Sequence, residues 1–331
     1  MPMSPDRERA GNHRVTPDEL IEELREIVER LAADGADRGD LKILARTMRE
    51  LRHAFHVFGR LKGARKVTVF GSARCESGTP LYGQAVAFGK EMAKRGWLVV
   101  TGGGPGIMEA ANLGAGPKRS MGINILLPFE QMDNQALSGS SNILHMKYFF
   151  TRKLLFVKEA DGVALFPGGY GTLDEAFEVL TLLQTGKSRL FPLVLVDEPG
   201  GGFWRVWREF VEGHLLRRGL VSPEDLSLFR ITDDVTMAVG EIERFYRVYH
   251  SMRTVGKDLV IRLRSPLPKG TLDRLRADFS DLLASGTFRL GECLPGEADE
   301  SDLAGLPRLV FSFNRRNFGR LRGLVDAINA S

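Results

Sequence analysis

Twice in this chain a run of β-forming residues ends in a cluster of glycines that opens directly into a helical pattern. The two segments are TGGGPGIMEAAN, Thr101 to Asn112, and FPGGYGTLDEAF, Phe166 to Phe177. Glycine tolerates positive φ and has no Cβ, so backbone amides at such a turn can approach an anion closely. The helix that follows adds unpaired amides and the positive end of its dipole. For one loop, the simpler reading that glycine only permits a tight turn is equally good; two in one sheet favour a phosphate site. At Gly168 to Thr172 the anion would be held by backbone amides and the Thr172 hydroxyl, with no lysine required.

The surrounding pattern sets the fold. From Lys66 onward, short apolar runs (VTVFGSA, WLVVTGG, MGINILLP, NILHMKYF, GVALFPGG, FPLVLVD) alternate with helical stretches near 80–95, 106–115, 151–160, 172–185 and 203–218. That alternation predicts an α/β, Rossmann-like doubly wound parallel sheet covered on both faces, with its ligand at the carboxyl ends of the strands. Upstream, Thr16-Pro17-Asp18-Glu19 is a helix start, and Leu20, Leu24, Ile27, Val28 and Leu31 recur at helical spacing. A second helix is expected from Leu41 to Leu61, and the pair forms a packing or dimerisation arm. Downstream, the pattern β-α-β-β-α predicts a small α+β unit, with the acidic loop GECLPGEADESDLAG as an exposed, mobile connection without chemistry. The expected divisions are an N-terminal helical arm at 1–62, a nucleotide-binding catalytic domain at 63–252 and a C-terminal domain at 255–331.

Several function classes drop out. No apolar run approaches the roughly 20 residues that span a bilayer, and the polar N-terminus lacks a signal-peptide core, so no membrane association and a cytoplasmic location are expected. Cys75 and Cys293 are too few for a disulfide framework or a zinc cluster. Lys plus Arg exceeds Asp plus Glu by only 46 to 42, which suits an anionic ligand without calling for nucleic acid. The dinucleotide fingerprint fails, because counting from Gly102 and Gly104 its third glycine falls on Ile107. Gly186-Lys187-Ser188 fails as a P-loop, since Thr181 stands where the first glycine belongs. His53 and His56 lack partners for zinc and are read as surface residues, His145 as a core histidine, and Phe149, Phe150 and Phe156 as core. No metal and no cofactor are called for, and no lysine is placed to argue for pyridoxal phosphate.

The motif PGGYGTLDE, Pro167 to Glu175, with the upstream pair Arg152-Lys153, the FGSAR turn and GGGPGIMEAANLGA, resembles the Lonely Guy family of phosphoribohydrolases, whose members have often been labelled lysine decarboxylases. The resemblance covers about residues 65 to 250 and leaves the C-terminal unit unaccounted for. It implies a homodimer, or a higher homo-oligomer, that hydrolyses the N-glycosidic bond of a nucleoside 5'-monophosphate. The substrate would be AMP, another purine nucleotide or a cytokinin ribotide, and the products free base and ribose 5-phosphate. Plant-type members carry Met-His before x-Arg-Lys, whereas this chain has Phe149-Phe150-Thr151, which points to a bacterial branch.

Carried over by the motif, the catalytic pair is Arg152 and Glu175 and the phosphate loop is Gly168, Gly169, Gly171 and Thr172. Gly71, Ser72, Gly103, Gly104 and Gly106 line the nucleotide pocket. A carboxylate beside the anomeric carbon would stabilise oxocarbenium charge and orient or deprotonate water. Glu175, one helical turn past Gly171, is placed for that; Arg152 would bind phosphate or steady the departing base. Lys153 adds anion attraction, and Glu130 is a candidate for the base or ribose against the plainer reading of a solvated loop carboxylate. A non-catalytic nucleotide or molybdopterin-type carrier is the competing reading, which has no need of the Arg152 and Glu175 pair.

Overall fold

Strands buried on both faces are dominated by apolar residues, and VTVF, LVVT, GVAL and LVLV are buried at every residue, with the hydroxyls of Thr68 and Thr101 bonded to the Phe156 carbonyl and the Asn112 side chain. A computed structural model describes residues 15–126, 134–140 and 142–331. By contacts the chain divides between His53 and Ala54 into two compact units.

The first unit holds α1 (Pro17–Ala33) and most of α2 (Arg38–Gly59), which ends in the second. Thr16 and Glu19 cap α1 reciprocally, with Pro17 at its first position, as the sequence pattern requires.

In the second unit, β1 (Lys66–Phe70), β2 (Leu98–Thr101), β3 (Ser120–Ile125), β4 (Ile143–Met146), β5 (Gly162–Leu165), β6 (Leu193–Val196) and β7 (Arg230–Thr232) form one parallel sheet. Its order is β4-β3-β2-β1-β5-β6-β7. The chain winds outward from β1 to β4, then returns to lay β5 on the other side of β1. The crevice between the carboxyl ends of β1 and β5 is therefore a topological switch point, where ligands of such sheets bind. The crossovers carry α3 (Pro80–Lys94), α4 (Ile107–Ala115), α5 (Phe149–Glu159), α6 (Tyr170–Gln184) and α7 (Phe203–Phe210), and α8 (Val235–Phe245) leads from β7 to the second sheet. Strand β7 and helix α8 are additions to the pattern read from sequence, and a three-residue strand offers little periodicity to read.

The C-terminal sheet has one strand more than the sequence pattern suggests. β8 (Tyr249–Val255) pairs with β9 (Asp258–Leu263) through a two-residue turn at Gly256, and α9 (Thr271–Asp278), β10 (Leu283–Gly291), β11 (Arg308–Phe313) and α10 (Phe318–Ala330) follow. The antiparallel order is β10-β11-β9-β8. Tyr249, His250, Arg253 and the polar residues between them hide β8 from an apolar count.

The acidic loop before β11 also differs from expectation. Its Glu297 is fully buried and accepts from the Arg262 Nε at 2.7 Å, the Arg308 Nε at 3.3 Å and the Leu294 amide at 3.1 Å. Burial alone would push this carboxyl up, but the amide and the two guanidinium groups hold it below the ordinary glutamate value. The loop is a strap pinned to two buried arginines. Replacing Glu297 with alanine leaves the buried Arg308 without a carboxylate and Arg262 with Glu300 alone, and is expected to cost about 3–5 kcal/mol in denaturant unfolding, whereas Asp302→Ala, exposed on the same loop, should stay within ~0.5 kcal/mol.

Candidate active site

Three turns converge at the switch point. The first follows β1, the second joins β2 to α4, and the third joins β5 to α6. Ser72 ties them together with its main chain: its amide donates to the Pro167 carbonyl at 3.1 Å, and its carbonyl accepts from the Ile107 amide at 3.0 Å. Glycine is obligatory at the contacts. A Cβ on Gly71 would lie 2.6 Å from the Ile107 side chain, one on Gly106 2.3 Å from the Ser72 carbonyl oxygen, and one on Gly168 2.2 Å from the Thr172 hydroxyl. Gly106 also has φ +70°.

The turns enclose an open cleft of about 670 Å³, within the usual range for a small-molecule site. Gly71, Ser72, Gly104, Arg152, Gly169, Gly171, Thr172 and Glu175 line it. Gly103, Gly106 and Gly168 are not among the lining residues; Gly106 and Gly168 pack the turns, and Gly103 accepts from the Asn134 amide at 3.0 Å. Glu130 lies outside the described residues. Arg74 and Asn124 also line the cleft, the former legible in the FGSAR turn, the latter carrying no signal beyond its place at the end of β3. Neither α4 nor α6 has a side-chain cap at its start, so both begin on glycine with their N-terminal dipole toward the turns.

Arg152 and Glu175 come to this cleft from different helices. Arg152 is fixed by its Nε, which donates to the Ile123 carbonyl at 2.8 Å, and by the Phe156 ring 5.0 Å from its guanidinium carbon. A Cβ on Gly102 would strike the same guanidinium at 2.2 Å, so glycine there makes room for it. Glu175 is buried, and its Oε2 has no hydrogen-bond partner. Burial pushes its pKa up to about 7, against the pull of Lys153 and Arg152 and with the push of Glu178 and Asp174. Burial also lowers the pKa of Arg152, and Glu175 opposes that shift.

Lys153 is placed differently from an anion attractor. Its ammonium sits 2.5 Å from Glu178, 2.9 Å from Asp174 and 3.8 Å from Glu175, three carboxylates of α6. Burial works against its charge, and the bonds to Asp174 and Glu178 outweigh it, so its pKa is raised. Two aromatic expectations change as well: Phe149 and Phe150, read as core, are more than half exposed, and Phe149 lines the cleft. His145, read as a core histidine, is exposed on the edge strand β4.

Fold and cleft define a Rossmann-like α/β protein with an open cleft at its switch point. A family profile described as "Possible lysine decarboxylase" matches residues 99–242. The cytokinin riboside 5'-monophosphate phosphoribohydrolase of Mycobacterium tuberculosis is 31% identical over 158 residues, which cover 47% of this chain and 81% of that protein. The pyrimidine/purine nucleotide 5'-monophosphate nucleosidase of Escherichia coli K12 is 29% identical over 174 residues, and the match spans only 38% of its length. Among solved structures, the molybdenum cofactor carrier protein of Chlamydomonas reinhardtii is 19% identical with a TM-score of 0.38, over 55% of this chain and 97% of that one. The chain belongs to the Lonely Guy phosphoribohydrolase family. No helix among the described residues is long and apolar enough to cross a membrane.

Two glycines of the third turn differ in the room around them. Gly168→Ala forces a Cβ against Thr172 and is expected to cost about 1–3 kcal/mol of stability in a thermal scan. Gly171 has open space at that position and lies in α6, so Gly171→Ala should leave the thermal midpoint level or slightly raised in the same thermal scan.

Proposed function

We propose that the protein hydrolyses the N-glycosidic bond of a nucleoside 5'-monophosphate, releasing free base and ribose 5-phosphate. The observation that carries this reading is the Glu175 carboxyl: buried, with no hydrogen bond to its Oε2, its pKa pushed up to about 7, and at the wall of a cleft formed by glycine turns. The amides at the start of α6 and the Thr172 hydroxyl take the 5'-phosphate. That places the ribose one helical turn further along α6, beside Glu175. As the C1'–N bond breaks, its electron pair leaves with the base and positive charge grows on the sugar. The Glu175 carboxylate stabilises that charge and takes a proton from the water whose oxygen bonds to C1'; the same proton then passes to the departing base nitrogen, which returns Glu175 to its carboxylate. Arg152 supplies the cationic side of the cleft. The relatives named for cytokinin ribotides and for pyrimidine and purine nucleotides support a monophosphate substrate. Lys153, held by three carboxylates, is poorly placed to form a Schiff base, so decarboxylation is the weaker reading. Phe149, Phe150 and Leu154, exposed along α5, support a homodimer of the core.

Chromatography of the products after incubation with AMP, GMP, CMP, UMP and isopentenyladenosine monophosphate tests the reaction. Base release is expected to fall by about 100-fold or more in Glu175→Gln with KM little changed. In Arg152→Ala, a rise confined to KM assigns Arg152 to the phosphate and a loss of kcat assigns it to the departing base. Nucleotide binding without release from any of the five would make the protein a carrier.

The pH profile gives a separate check. The carboxylate is the active form, so kcat/KM should rise with pH through about 7. Lys153→Met removes a cation that lowers the Glu175 pKa, and the same limb should move to higher pH. A limb that stays in place or moves down would remove Glu175 from the role of base.

A further inference from the structure

The N-terminal helices present apolar faces that their own unit leaves uncovered. No residue of α1 is buried, and α1 and α2 make at most a marginal contact with each other. Leu24, Ile27 and Val28 on α1 and Leu41, Leu44 and Met48 on α2 are each between 40 and 52% exposed. Both stripes alternate in steps of three and four, Leu20-Leu24-Ile27-Leu31 and Leu41-Leu44-Met48-Leu51, the spacing of helices that pack side by side. With their apolar neighbours they offer apolar surface on the order of the roughly 800 Å² that each partner buries in a standard interface.

Charge selects the occupant. Helix α1 carries six acidic and two basic side chains, whereas α2 carries five basic and two acidic, His53 and His56 aside. A second α1 would therefore meet α1 with like charge, and a second α2 would meet α2 likewise. Across a helix pair about 10 Å apart, a distance near the Debye length at physiological salt, that difference matters. An acidic or basic partner protein could match only one of the two helices. A second copy of this chain matches both at once.

We infer that α1 of one chain docks on α2 of a second copy, with the reciprocal contact closing a four-helix arrangement. Such a reciprocal contact has the two-fold self-complementarity of closed homo-oligomers. The inference does not depend on the reaction at the cleft.

Amide hydrogen exchange across residues 17–33 of the full-length protein tests it with two charge-reversed chains. One carries Glu22→Lys, Glu23→Lys and Glu26→Lys on α1; the other carries Lys42→Glu, Arg46→Glu and Arg49→Glu on α2. Far-UV circular dichroism and nucleotide binding verify that both are folded. In the wild type, α1 is expected to exchange about tenfold or more slowly than in either variant alone. In an equimolar mixture of the variants each reversed helix finds an opposite partner, so the protection should return. Protection indifferent to both reversals overturns the inference in favour of an uncharged contact elsewhere. Loss that mixing does not restore overturns it in favour of α1 folding onto its own chain, because only an interchain pair can be rescued by a second molecule.

Discussion

Three stretches of backbone meet at the carboxyl ends of β1, β2 and β5 closer than side chains allow, and the placement of the cleft residues follows from that contact. The main chain of Ser72 bonds to both of the other turns, so it sets their separation. Gly71, Gly106 and Gly168 are the positions where a Cβ would force them apart. With the turns locked, the first turns of α4 and α6 start from fixed points. Thr172 and Glu175 then inherit their positions from helix geometry, with no flexible loop between them and the sheet. Arg152 depends on the same contact from the other side, since its guanidinium occupies the space beside Gly102.

Burial then decides the electrostatics. A carboxyl at the wall of an open cleft would ordinarily stay ionised, but Glu175 is shielded enough that its pKa rises to about 7. Two cations on α5 keep it from rising further. Lys153 does so indirectly placed, tethered to Asp174 and Glu178 on either side of Glu175 in sequence, so that the helix carrying the carboxyl also carries the anchors of its neighbouring cation. A group poised near neutrality exchanges protons readily at physiological pH, which is the property that acid–base work on a glycosidic bond requires.

The parallel sheet was legible in the sequence because buried parallel strands are dominated by apolar residues, and the glycine turns because a turn without Cβ has no substitute. What the sequence hid follows the same logic in reverse. β8 is mostly polar, Tyr-His-Ser-Met-Arg-Thr-Val, on a sheet edge, and β7 has only three residues, so neither shows an apolar run. The strap before β11 reads as an acidic loop because its partners, Arg262 and Arg308, lie on separate strands; only folding reveals that Glu297 is buried between them. Motif resemblance named Gly103, Gly106 and Gly168 alongside the lining glycines, since a motif does not distinguish a glycine that makes room for ligand from one that makes room for a neighbouring turn.

Glu297 and Glu175 show why burial by itself does not mark a site. Both are glutamates removed from water, and both have cations nearby. Glu297 has its oxygens met by two guanidinium groups and an amide, and its pKa falls; such a group holds a strap to a sheet and has no reason to release its charge. Glu175 keeps one oxygen unmet, and its pKa rises. An unmet buried carboxyl costs stability, and packing around it could have supplied a donor. Among the described residues, the other buried side-chain atoms without a partner belong to Thr47, Trp204, Trp207 and Arg322, none of which lines this cleft. Glu175 thus sits near neutrality at the wall of the glycine-lined cleft, its buried Oε2 faced by the Lys153 ammonium 3.8 Å away and by no hydrogen-bond donor, where Glu297 has both oxygens met.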